Sequence, residues 1–102
     1  MRFWVVNNKI FPIKYRGIVL WPFVFMRPTQ NDAYNQCLFR HELQHCYQIK
    51  EAGVIKFYAR YLWLLMKHGY HQHPDEIEAH QCQSLPLSKR EKAMYLTGKI
   101  KI

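Results

Sequence analysis

A change of hydrophobic period near residue 30 constrains this chain more than any other feature. The first 28 residues hold short β-rich runs. "FWVV" and "KIFPI" flank Asn7-Asn8, a tight-turn signal, and "IVLW" and "FVFM" follow Gly17 and Pro22. Pro22 breaks that second run, so it marks an edge strand, a bulge or a break. Pro28 and "TQND" form a polar loop. From Asp32, a candidate helix cap, Leu38, His41, His45 and Ile49 recur at three- and four-residue steps, the spacing of one helical face. The pattern predicts an α+β domain, a short N-terminal β-sheet followed by three to four helices.

Gly53, Gly69 and Pro86 punctuate the helical part. They divide it into a helix over 32–52, a second over 54–68, a third over 74–84 and a basic segment over 85–102 that holds a short helix from Ser88. The second helix carries Val54, Phe57, Tyr58, Tyr61, Leu62, Leu65 and Met66 on one broad face, which reads as a core face. At 102 residues the chain suits one domain with a modest core.

Fifteen Lys+Arg against seven Asp+Glu give a formal charge of +8. That favours acidic partners such as nucleic acid or an anionic membrane. The charges are scattered, however, and no nucleic-acid signature accompanies the densest run, "SKREKAMYLTGKIK". A solvated surface is the simpler reading. Cys37, Cys46 and Cys82 lack C-x-x-C spacing and read as small, reduced core residues. The opening "MRFWVVNNKIF" is too short an apolar run for a signal peptide. "GIVLWPFVFM" and "LWLLM" fall short of the roughly 20 residues that cross a bilayer. The expectation is a soluble, cytoplasmic protein.

Within the first helix, "RHELQHCYQIKE" contains His41, Glu42 and His45 as H-E-x-x-H. Histidines four apart stand one turn above each other, so both imidazoles can meet one ion. Glu42 is rotated by about 100° and reaches water beside the ion rather than the ion itself. Two histidines alone also describe an ordinary exposed helix, so a third ligand is needed. "HPDEIEAH" supplies candidates. Glu76 and Glu78 lie about 200° apart on a helix and cannot both face one ion. Asp75 and Glu78 have capping-box spacing, which gives Glu78 a structural role. Glu76 shares a face with the small Ala79 and is the better ligand, with Glu78 the alternative. A histidine third ligand from His71, His73 or His80 stays open.

His41-Glu42-x-x-His45 followed by Glu76-x-x-Ala79 resembles the gluzincin pattern, H-E-x-x-H then E-x-x-A/S-D. The short length resembles the minigluzincins and other small bacterial and phage H-E-x-x-H proteins. "WPFVF", "QIKE" and "FYARY" are also similar to those small proteins, and the likeness runs from about Gly17 to Gln83. A metzincin would carry Gly and His where this chain has Gln48 and Glu51. The resemblance implies a small zincin-like domain, a zinc ion on His41, His45 and Glu76, and Glu42 as general base for peptide hydrolysis. It departs from the family at His80, which stands where an Asp accepts a hydrogen bond from a ligand histidine. His80 could do so only through a neutral ring nitrogen.

An oxyanion donor is expected as well. Tyr70, His71 and His73 precede the third-ligand helix and are candidates, whereas Tyr58 and Tyr61 read as core packing. By resemblance, "IVLWPFVF" supplies an edge strand for a peptide or protein substrate. A domain this short lacks the second lobe of larger gluzincins, so its cleft is expected to be shallow or completed by a protein partner. The competing expectations are a zinc-binding protein without catalysis, and a basic module for nucleic acid or an anionic membrane built on "VIKFYARYLWLLMK".

Overall fold

The computed structural model describes residues 1–7 and 17–102. It is an α+β domain with the element order β1 (Arg2–Asn7), β2 (Gly17–Leu20), β3 (Phe23–Met26), α1 (Asp32–Ala52), α2 (Val54–His68), α3 (Pro74–Cys82), α4 (Lys89–Thr97) and β4 (Lys99–Lys101). The sheet order is β2-β3-β1-β4. β2 and β3 form an antiparallel hairpin, β1 runs parallel to β3, and β4 closes the far side antiparallel to β1. "KIFPI" and Asn8, and with them the expected turn, lie outside the described residues.

Period-two alternation orients the sheet. Phe3, Val24, Met26 and Ile100 are buried, while Trp4, Phe23, Lys99 and Lys101 are exposed on the other face. Against the buried face lies α1, whose Phe39, Leu43, Cys46 and Ile49 form a stripe at four- and three-residue steps. Each such large apolar side chain contributes about 1.5–3 kcal/mol on burial. Leu87 and Met94 extend the core toward α4. Pro22 resolves as the tip of the β2–β3 hairpin, reached through a cis Trp21–Pro22 bond. The Tyr58 hydroxyl fastens this tip to α2 by donating to the Val19 carbonyl (2.9 Å) and accepting from the Trp21 N–H (2.8 Å).

Several local expectations are corrected. Asn31, not Asp32, caps α1, by accepting from the Tyr34 N–H. Asp32 instead sits in the first turn and accepts from Tyr95 of α4 and from Gln36. The Asp75–Glu78 capping box does not form. His73 caps α3 through Nδ1, because Pro74 at the first helical position leaves its neighbour to receive the Asp75 N–H. α3 ends at Cys82 rather than Ser84. The basic C-terminal segment is ordered, with a Ser88–Glu91 capping box opening α4 and β4 completing the sheet. Only Cys46 is buried; Cys37 is exposed, and all three thiols are free.

α2 is a core helix only in part: Phe57 is buried and Val54, Tyr58 and Tyr61 pack against the core. Only its Phe57 is fully buried. Leu62 and Met66, assigned to the core by periodicity, are exposed, as are Ile55 and Trp63. Among the described residues no helix is long and apolar enough to cross a membrane.

Candidate metal centre

α1 carries His41 and His45 one turn apart, and their rings sit edge to face with centroids 5.2 Å apart. α3 crosses this face, with the buried Ala79 at the contact, and directs Glu76 between the two rings. His45 Nε2 lies 2.8 Å from Glu76 Oε1, and His41 Nε2 lies 3.3 Å from Glu76 Oε2. All three side chains are buried, and their ligand atoms lie within 4.8 Å of one another.

The hydrogen bonds behind these atoms determine what can sit between them. Gln48 donates its amide N–H to the Asp75 carbonyl at 3.1 Å, so its oxygen faces His45 Nδ1 at 2.8 Å and receives that proton. His41 Nδ1 meets the Gln83 side-chain oxygen at 3.0 Å in the same way. With each Nδ1–H committed, a neutral ring presents a bare Nε2 lone pair toward a carboxylate. Two acceptors then face each other in a buried site, an arrangement relieved only by a positive charge between them. Protons on the rings satisfy it, and so does one metal cation bound by two nitrogens and a carboxylate. This donor set and its outer amides fit zinc.

Electrostatics agree with this geometry. Burial opposes charge on His45, but the Glu76 hydrogen bond and the Glu76 and Glu42 carboxylates prevail and lift it to about 9. Burial likewise opposes the Glu76 carboxylate. The hydrogen bonds from His41 and His45, with Tyr61, hold it well below the usual carboxylate range. Among the described residues Glu42 has no such neighbours in hydrogen-bond contact. Burial raises it, the two histidines partly offset this, Glu76 adds to it, and the result is about 7.

Glu42, His41 and Glu76 line a cavity of about 300 Å³ bounded by the β2 edge strand on one side and by α2 on the other. Tyr70 stands at its rim and lines the same space. Of the candidate oxyanion donors, Tyr70 alone reaches the cavity. His71 is exposed with its ring edge against Tyr70. His73 is fully buried, accepts from the Asp75 N–H at Nδ1 and donates from Nε2 to the Tyr61 carbonyl at 2.9 Å, so both its nitrogens are committed to structure.

The alternative third ligands lie outside this cluster. Glu78 is exposed and accepts from Gln44. His80 lies edge-on to His41 at 4.9 Å between centroids but is exposed and outside the ligand cluster. It does not take the outer hydrogen bond of His41, which goes to Gln83.

Three site residues escaped the sequence reading. Tyr61, assigned to packing, donates to Glu76 Oε1 at 3.0 Å. Burial and the Glu76 charge push its phenol up, which keeps it a donor. Gln48 stands three residues after His45, and that spacing could have flagged it. Gln83 follows the end of α3, where no periodicity speaks for it.

No protein-family model matches this chain, and neither the curated proteins nor the solved structures contain a significant match.

Proposed function

We propose that this protein is a zinc-dependent peptidase of the gluzincin type. The observation that carries this reading is the convergence of His41 Nε2, His45 Nε2 and the Glu76 carboxylate, with Glu42 beside them in a cavity under β2, an outer strand among the described residues. When bound, zinc supplies Lewis-acid polarisation of a scissile carbonyl and acidifies water in the cavity.

The chain's own groups supply the rest. Glu42, set near neutrality by burial, takes the proton from the attacking water and passes it to the leaving amine. Among the described residues β2 is an outer strand of the sheet and lines the cavity, so a peptide can add to it as a further strand across the site. Tyr70 lines the same cavity, which makes its hydroxyl the candidate donor to the developing oxyanion. Tyr61, Gln48 and Gln83 hold the ligands in the orientation the metal needs. Three free thiols suit a reducing compartment such as the cytoplasm.

The test is zinc content of the purified protein together with hydrolysis of a mixed peptide library by the native chain and by Glu42→Gln. The expected result is one zinc per chain, cleavage by the native protein, and loss of cleavage with zinc retained in the variant. Absence of stoichiometric zinc ends the reading. Zinc without cleavage turns the site into a structural one. Full activity in Glu42→Gln overturns the base assignment.

A further inference from the structure

α2 contains no acidic residue and leaves four large apolar side chains exposed. Ile55 is 85%, Leu62 59%, Trp63 60% and Met66 87% exposed. At 100° per residue, Ile55, Leu62 and Met66 fall within about 40° of one another, with Trp63 next to them. Lys56 and Lys67 follow around the helix on the Trp63 side, and the Lys67 ammonium lies 4.9 Å from the Trp63 ring centroid. Around the opposite side come Tyr58 and Leu65, which line the cavity together with Leu62 and Leu20. The hairpin tip held by Tyr58 adds exposed Leu20 and Trp21.

The surface is therefore an apolar stripe with a basic, aromatic margin on one side and the cavity mouth on the other. We propose that α2 is an interfacial helix that docks this stripe on an anionic lipid surface, with Ile55, Leu62 and Met66 among the acyl chains and Lys56 and Lys67 at the headgroups. Charge complementarity selects this occupant. A chain of net charge +8 is attracted to an anionic bilayer, and the lysines beside the stripe sit where phosphates lie. A second copy would set one +8 surface against another. Nucleic acid would engage the lysines but leave the stripe in water. The docked orientation brings the cavity mouth toward the headgroups. None of this depends on what the site binds.

The experiment is cosedimentation of the full chain with vesicles of phosphatidylcholine alone and with about 30% phosphatidylserine, followed by blue shift of tryptophan emission. Two variants at exposed positions, Leu62→Glu/Met66→Glu and Lys56→Glu/Lys67→Glu, are compared after circular dichroism verifies their fold. Binding to the anionic vesicles is expected, with at least a tenfold loss of partition in each variant. No binding at low salt overturns the proposal. So does binding that survives Leu62→Glu/Met66→Glu, which reports charge alone. A concentration-dependent dimer dissolved by that same variant, without vesicle binding, gives the face to a second copy instead.

Discussion

Gly17 and Glu42 meet through a missing methyl group: a Cβ on Gly17 would stand 2.6 Å from Glu42 Oε1. The first residue of the edge strand thus leaves the space in which the carboxylate of the metal helix rests. Gly17→Ala is expected to push the carboxylate out of line while leaving the three ligands untouched. Hydrolysis should fall by about a hundredfold, as for other displaced catalytic groups. Zinc affinity should stay within about twofold, and isothermal titration beside steady-state kinetics checks the split.

On the proposed reading zinc binds residues from two helices that come together only on folding, so it should stabilise the folded chain by mass action. At a free zinc concentration of about a hundred times Kd the gain is about 2.7 kcal/mol. For a domain near this size that raises Tm by roughly 10–20 °C. Thermal unfolding with zinc and with chelator measures it. Glu76→Gln, which loses the anionic ligand, should remove most of the difference.

Gln83 and His80 stand near the same imidazole, but only Gln83 is hydrogen-bonded to it. Gln83→Ala should weaken zinc binding by about 10- to 100-fold. His80→Ala should change it little. Competition against a chromogenic chelator distinguishes the two, and the reverse ranking would return the outer role to His80.

On the proposed mechanism Tyr61 and Tyr70 divide two tasks. Tyr61 donates its hydroxyl hydrogen bond to Glu76, so Tyr61→Phe should weaken zinc binding and cost about 1.5–3 kcal/mol of stability, the worth of a hydrogen bond to a charged group. Tyr70 lines the open cavity, so Tyr70→Phe should lower kcat by about a hundredfold or more with zinc affinity kept. Kinetics and zinc titration on both variants show whether the roles separate.

Away from the site, Glu91 closes the α4 capping box and accepts from Tyr47 at 2.9 Å. Burial opposes its charge, but the Ser88 N–H and the Tyr47 hydroxyl prevail and hold it below its ordinary 4.5. The folded value is the lower one, so the stabilisation is fully present above about 4.5 and disappears as pH falls through the folded value. Because Glu91 is largely solvated, the effect should be on the order of 1 kcal/mol or less. Urea midpoints of the native chain and Glu91→Gln should therefore converge as pH drops from neutral toward 3.

Much of the centre was legible because helical periodicity is local. His41 and His45 share a face by their spacing alone, and Glu76 was separable from Glu78 by rotation about a helix axis. The helix ends at Gly53 and Gly69 were equally legible, since each glycine takes a positive φ of 87° and 75° where the chain leaves the helix. Periodicity failed at α2 because it reports which residues share a face, not whether another element covers that face. Leu62 and Met66 look like core in sequence and stand in solvent in the fold.

The sequence by itself determined the α+β order of elements, the helix that carries His41 and His45 on one face, and the identities of the three candidate ligands, because each depends on neighbours within a few residues. Only the tertiary structure decided that Gln83 rather than His80 supports His41, that His73 is a cap, that Tyr61 holds Glu76, and that β4 completes the sheet. Those are pairings between residues 12 to about 100 positions apart or competitions for one backbone N–H. Local spacing carries no information about them, because they are selected by which hydrogen bonds remain to be satisfied once the helices and sheet have packed.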